Sequence, residues 1–300
     1  MTITRAQIAK QLVPGLNAVF GLAYKDVAEE HLKLFEVQNS VKAFEEAVLQ
    51  SGMGTAAVKT EGSAVSYDNM QESYTARWTH ETIATAFAIT EEAFEDNLYD
   101  TFAKARTKEI ARSMANAKQV KAANIFNNGH STSYPIGDGA AFFSAAHPTV
   151  GDGNQSNTVA ADLSETALEN ACIAIAQMKN DRGILINAQP KMLLVPVNNM
   201  FVADRLLEST LRPGKADNDI NAIKNTGMFP EGYVVNHRLT DTNAWYIKTD
   251  VPEGTKMFQR RALKTAMEGD FDTGNLRYKA SERYSFGVMN WRGWYGSNGA

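Results

Sequence analysis

The stretch from Thr90 to Asn128, TEEAFEDNLYDTFAKARTKEIARSMANAKQVKAANIFNN, contains neither glycine nor proline. Ala, Lys, Glu, Arg and Met dominate it, and these residues lose least on entering a helix. Thr90 is placed to cap the N-terminus, with Glu91, Glu92, Glu95 and Asp96 at the positive end of the helix dipole. Lys104, Arg106, Lys108, Arg112, Lys118 and Lys121 follow towards the negative end, and Asn127, Asn128 and Gly129 supply a stop. Phe94, Leu98, Phe102, Ala105, Ile110, Met114 and Ala117 recur at spacings of three to five, which turns one apolar stripe to a core. At 1.5 Å per residue such a helix runs roughly 55 Å, longer than a small domain is wide. It must be a spine that connects distant parts.

The segments before the spine do not read as a compact core. Met1 to Phe35 reads as an arm, interrupted at Pro14-Gly15, with Leu12, Val13, Leu16, Val19, Phe20, Leu22 and Tyr24 forming an apolar segment. Such a segment has to pack, either on its own domain or on a neighbouring subunit; the first is favoured. Ser51-Gly52-Met53-Gly54 reads as a hinge. From Thr55 to Thr90 the pattern changes to period two, with turn chemistry at Glu61-Gly62-Ser63 and Asp68-Asn69. Tyr74, Ala76, Trp78 and His80 alternate there with Ser73, Thr75, Arg77 and Thr79. The expectation is a long hairpin that protrudes as a flap and offers its edges to other chains. Deleting Thr55 to Thr79 is then expected to leave a folded subunit that no longer associates stably with other copies.

After the spine the chain reads as mixed α+β. A polar connector covers Gly129 to Gly139, and GDGN at 151–154 reads as a turn, since the later ligands of a calcium loop are missing. A helix starts at Ser164, with Leu163, Ala167, Leu168, Cys172, Ile175 and Met178 on its apolar side. KMLLVPV is a short buried strand and NMFVADRLLEST a further helix. Antiparallel strands are expected in MFPEGYVVNHRL, AWYIKTDV, MFQRRAL and the C-terminal LRYKASERYSFGVMNWRGWYG.

The search for chemistry returns little. The lone cysteine, Cys172, sits in an apolar helix pattern and excludes an intrachain disulfide. None of the five histidines stands in a metal-ligand spacing, and His147, before Pro148 in an apolar setting, reads as a structural hydrogen-bonding residue. No nucleophile elbow, phosphate loop or dinucleotide fingerprint is present, so neither a catalytic nor a cofactor-binding nor a metal site is expected. With 30 basic against 34 acidic residues, the formal net charge of -4 speaks against a protein that coats nucleic acid. Arg260-Arg261 is a small basic site that could meet an acidic neighbour or a nucleic acid; the plain surface reading is favoured. No run is long and apolar enough to read as a membrane span.

Several strings, in this order, resemble the major capsid proteins of tailed double-stranded-DNA bacteriophages with the Hong Kong 97-type fold, closest to the Mu-like major head subunit branch. They are FAITEEAFEDNLYD, AANIFNNG, AFFSAAHPT followed by a Gly/Asn loop, KMLLVPV and YKASERYSFGVMNWRGWYG. FFSAAHP is the most specific of them. The resemblance implies an N-terminal arm (1–35), an extended loop (52–82), a peripheral domain (36–51, 83–196 and 270–300) holding the spine, and an axial domain (197–269) with Lys215 to Asn221 at its tip.

The implied function is self-assembly as pentamers and hexamers into the icosahedral head of the virion, put together in the host cytoplasm. Implied partners are further copies of the chain, a portal protein, a separate scaffolding or decoration protein, and packaged DNA met without sequence specificity; no membrane is involved. Candidate inter-subunit residues are Leu12, Phe20, Lys59, Tyr67, Tyr74, Arg77, Trp78, Arg260 and Arg261. A scaffolding region fused ahead of the arm is not expected. Lys59 lies where the prototype carries a cross-linking lysine, but no matching Asn and carboxylate are evident, so no cross-link is expected. Two other readings are an encapsulin-type compartment shell and a small soluble enzyme without a recognisable motif.

Overall fold

The computed structural model describes residues 16–90, 99–212, 219–270 and 274–299. An arm helix over residues 16–25 and a short helix, His31–Leu34, lead into β1 (Glu36–Asn39) and β2 (Phe44–Gln50). β3 (Glu72–Thr79) and β4 (Glu81–Ile89) precede the spine helix, Tyr99–Asn127. Three two-residue strands follow: β5 (His147–Pro148), β6 (Asn154–Gln155) and β7 (Thr158–Val159). Next come the helix Glu165–Ala176, β8 (Pro190–Pro196), the helix Met200–Glu208, the short helix Ala222–Thr226, β9 (Tyr233–Asn236) and β10 (Trp245–Thr249). The long strands β11 (Thr255–Gly269) and β12 (Leu276–Val288) and the short β13 (Trp294–Ser297) close the chain.

The spine helix is 29 residues long, about 43 Å at 1.5 Å per residue. The Thr90 cap, the acidic first turn, Phe94 and Leu98 fall at or outside the edge of the described residues. The buried side is Ala103, Thr107, Ile110, Ala111, Met114, Ala115, Lys118, Gln119, Ala122, Ala123 and Phe126, a strict three-and-four spacing. Ala105, placed on the stripe by its apolar character, is exposed. Small side chains on the buried side let the helix lie close to what it covers.

Two sheets share the spine. The four-stranded sheet runs β1-β11-β12-β4, and the five-stranded sheet runs β7-β13-β10-β8-β9. Met192 to Val195 of β8 are buried on both faces, which is why that strand reads as a continuous apolar run. One face of the five-stranded sheet packs on the helices, joining Leu168, Cys172 and Ile175 to Leu193, Val195, Leu206, Trp245 and Ile247. Burial pushes the Cys172 thiol up to about 11, as a small core residue requires. The other face meets the end of the spine through Phe126, Phe142, Phe143, Tyr246 and Trp294.

The FFSAAHP string is the keystone of that junction. Phe143 stacks on Tyr246 at 4.8 Å and Phe126 meets Trp294 edge-on at 4.7 Å. His147 is fully buried and stacks on Trp291 at 4.3 Å. Its ring nitrogens face Asp138 Oδ2 at 2.6 Å and Asn157 Oδ1 at 3.0 Å. Asn157 Nδ2 donates to the carbonyls of Phe142, Trp291 and Trp294. The GDGN turn joins β5 to β6, with Gly153 at φ +72°.

Two elements expected in one part of the chain pack with elements expected in the other. β11, assigned to the axial part, lies in the four-stranded sheet beside the spine, because its partners are β1 and β12. The helix capped by Ser164, assigned to the peripheral part, covers the five-stranded sheet, because its apolar side shares one core with Leu193, Val195, Trp245 and Ile247. Most of the Lys215 to Asn221 segment lies outside the described residues. Among the described residues no helix is long and apolar enough to cross a membrane.

Candidate inter-subunit site

β2 and β3 pair antiparallel, from Phe44 opposite Thr79 to Gln50 opposite Glu72. The residues between them leave the body of the subunit. At the root, Ser51 N donates to the Gln71 carbonyl at 2.8 Å and Gln71 N donates to Ser51 Oγ at 3.1 Å. Gly52 takes φ +74°, a left-handed turn that a glycine enters without strain. Two residues on, Gly54 N donates to Asp68 Oδ2 at 2.6 Å, and Asp68 Oδ1 accepts from Arg182 Nη2 at 3.1 Å. The Gly54 N–H first, then the Arg182 guanidinium, holds the Asp68 carboxyl below its ordinary range.

Beyond this clamp the loop makes little contact with its own subunit. Residues 55–70 are all exposed, with Val58 at 94% and Tyr67 at 95%. The tip is a turn in which Ser63 N donates to the Thr60 carbonyl, with Gly62 at φ +79°. The expected strand from Thr55 is not formed within the subunit, since no partner strand lies alongside it. The second expected strand is two strands with different partners: β3 pairs with β2, while β4 pairs with β12. The period-two reading of Tyr74 to His80 holds, but its inward face enters the subunit's own core. A deletion extending to Thr79 would therefore remove β3, with the buried Ala76 and Trp78, along with the loop.

The named candidates fall into three groups. Lys59 and Tyr67 are on the exposed loop, and Arg77 is exposed over the Phe44 ring at 4.0 Å with Glu46 at 3.5 Å. Trp78 and Phe20 are each 1% exposed, so both serve the subunit's own packing. Trp78 meets Phe258 edge-on at 5.1 Å, and half-buried Tyr74 donates its hydroxyl to the Met289 carbonyl at 2.8 Å. Arg260 is half-buried, and exposed Arg261 donates to Ser281 Oγ. Leu12 lies outside the described residues.

The arm helix sits on its own subunit. Leu16, Phe20 and Ala23 pack against Ile110 and Met114 of the spine and Tyr278 and Ala280 of β12. At its end a polar seat is buried: Lys118 Nζ lies 2.6 Å from Glu282 Oε2 and donates to Tyr24 Oη at 2.6 Å. Burial, working against the Lys118 charge, raises the Glu282 carboxyl. Burial also raises the Tyr24 hydroxyl, with the Glu282 charge next. Sequence reasoning missed this seat and the Arg182 clamp. Lys118 counted only as a charge near the helix end and Asp68 only as a turn residue. Among the described residues no group of three or more His, Cys, Asp or Glu is placed to hold a metal ion.

Residues 73–297 match the family model of phage capsid protein. The chain belongs to the phage capsid protein family. Solved structures share the fold of this capsid protein at low identity. The virus-like particle from Pyrococcus furiosus aligns over 94% of this chain and 97% of its own, at 10% identity and a TM-score of 0.54. The capsid of the empty GTA particle aligns over 90% of each chain, at 13% identity and a TM-score of 0.55. The capsid of Cyanophage P-SCSP1u aligns over 89% of this chain and 86% of its own, at 10% identity and a TM-score of 0.55. No curated protein matches this capsid protein in sequence. The fold is the Hong Kong 97-type capsid fold, and the protein is a major capsid protein of the virion shell.

Proposed function

We propose that this capsid protein closes into pentamers and hexamers of an icosahedral head, each copy laying its 53–70 loop on a neighbour. The observation that carries the reading is the contrast within that loop. Its root is clamped by Asp68, Gly54 and Arg182, while Val58 and Tyr67 lie almost wholly in water. Apolar side chains held out on a fixed root are suited to a surface supplied by another copy. Many such contacts per shell add through avidity, and head-to-tail contacts close when they form rings.

In this reading the arm, the spine and the four-stranded sheet make a peripheral unit. The five-stranded sheet with its helices makes an axial unit whose outer loops meet at the rotation axes. A portal protein, a separate scaffolding or decoration protein and packaged double-stranded DNA are the further partners. The shell role involves no catalytic step, and Lys59 forms no covalent cross-link. The family match supports a phage shell over an encapsulin-type compartment. The test is negative-stain microscopy and size-exclusion chromatography of the purified full chain. Closed shells are expected; a monomer or small oligomer under all conditions would overturn the reading.

A further inference from the structure

The Arg260-Arg261 site is one end of a longer basic stripe. In the four-stranded sheet Arg261 stands directly opposite Arg283, Lys264 opposite Ser281, Ala266 opposite Lys279 and Glu268 opposite Arg277. These residues occupy the face turned away from the spine and arm, because Tyr278, Ala280, Glu282 and Tyr284 between them are buried on the other side. Beside the stripe β4 contributes only small residues to that face: Thr82, Ala84, Ala86 and Ala88, all exposed. The result is a flat, open floor bordered by long cationic side chains.

Three observations say that the stripe lacks its partner. Like charges directly opposite across two strands are destabilising, and Arg261 and Arg283 are so placed. Buried Arg260 Nε has no hydrogen-bond acceptor. Lys264 and Lys279 are exposed and have no ion-pair or hydrogen-bond partner among the described residues. Arg277 is paired with Asp270, and Arg283 Nε donates to the His80 carbonyl at 3.4 Å.

Charge favours a second copy as the occupant. Arg260, Arg261, Lys264, Arg277, Lys279 and Arg283 against Glu268 and Asp270 give the face +4. With the whole chain at -4, the remainder of each copy carries -8. A second copy therefore offers the complementary charge.

We propose that this sheet face is an inter-subunit surface that docks an acidic face of a neighbouring copy. The inference rests on the shell reading above and names a second contact besides the loop. Such a contact sets assembly partners and register, and it weakens as salt rises.

The experiment is shell formation by the full chain and by its K264E/K279E and K264Q/K279Q variants, after nuclease treatment, across a salt series by analytical ultracentrifugation. Both lysines are exposed and unpaired, so thermal melts of the unassembled variants should match the unaltered chain. The expected result is a threshold concentration for shells raised about tenfold or more by charge reversal at low salt, less by neutralisation, with the difference shrinking as salt rises. Equal thresholds at every salt would overturn the proposal. Variant shells that form normally but retain less nucleic acid would also overturn it, reassigning the face to phosphate binding. An unaltered chain that forms no shells at any salt overturns the shell reading, and this inference with it.

Discussion

Arg182 Nη2 stands 3.1 Å from Asp68 Oδ1, 114 positions away in the sequence. A turn that follows the helix Glu165–Ala176 thus fixes the root of a loop that leaves from the β2–β3 pair. Both partners are partly exposed, so the pair adds little to the stability of the subunit. Its effect is on direction. Arg182→Ala is expected to leave the melting temperature of the subunit nearly unchanged and to raise amide exchange across residues 53–70. Fewer closed shells should form, as counted by negative-stain microscopy.

Trp78 and Tyr67 separate folding from assembly. Trp78 is 1% exposed and Tyr67 95%. Trp78→Ala is expected to cost the subunit about 3–5 kcal/mol in denaturant unfolding, the range for a large aromatic removed from a packed site. Tyr67→Ala should leave unfolding unchanged and reduce shell yield. The reverse pattern would mean that the packed face of β3 and the loop have been assigned the wrong way round.

Which of these features could be read from residues alone follows from physics that is local or not. The spine and the helix capped by Ser164 were legible because periodicity and capping are properties of neighbouring residues; Ser164 Oγ accepts from Ala167 N as the pattern implied. β8 was legible because a strand buried on both faces is apolar throughout. The alternation from Tyr74 to His80 was legible, but not which surface its inward side meets, since that depends on β12 more than two hundred residues later. The polar seat under the arm was hidden for the same reason. Lys118 and Glu282 look like ordinary surface charges until Tyr24 and the β12 strand enclose them.

That seat makes a prediction of its own. Lys118 is 9% and Glu282 0% exposed at the side chain. Lys118→Met alone would leave a buried carboxyl without its cation, at a cost of about 3–5 kcal/mol. The double variant K118M/E282L, with both charges removed, should regain most of that loss. Denaturant unfolding of the four proteins of the cycle measures it. Equal destabilisation by the single and the double variant would mean that the pair does not act as a unit.

Acid is expected to loosen the same region through His31. Its backbone N–H donates to Gln119 Oε1 at 3.1 Å, and its Nδ1 accepts from Gln119 Nε2 at 2.8 Å, so the native ring is neutral at that nitrogen. Burial first, then the Lys118 charge, pushes its pKa below the ordinary value. A base with a lowered folded pKa contributes stability that is present above its unfolded value, about 6.5, and is lost as pH falls through the folded one. Glu282, raised by burial, works in the opposite sense above the ordinary carboxylate range. The melting temperature of His31→Leu should therefore fall less between pH 7 and pH 5 than that of the unaltered chain. An identical fall would remove His31 from the acid response.

The most direct measurement is excision of the loop at its clamp. Gly54 N and Asp68 Oδ2 are already 2.6 Å apart, so residues 55–67 can be replaced by a short link without disturbing β2, β3 or the Arg182 contact. Thermal melts and negative-stain microscopy of this variant beside the full chain give the answer. The expected result is a subunit that melts as the full chain does and forms no stable shell. Closed shells at the normal yield and size would contradict the role given to the loop.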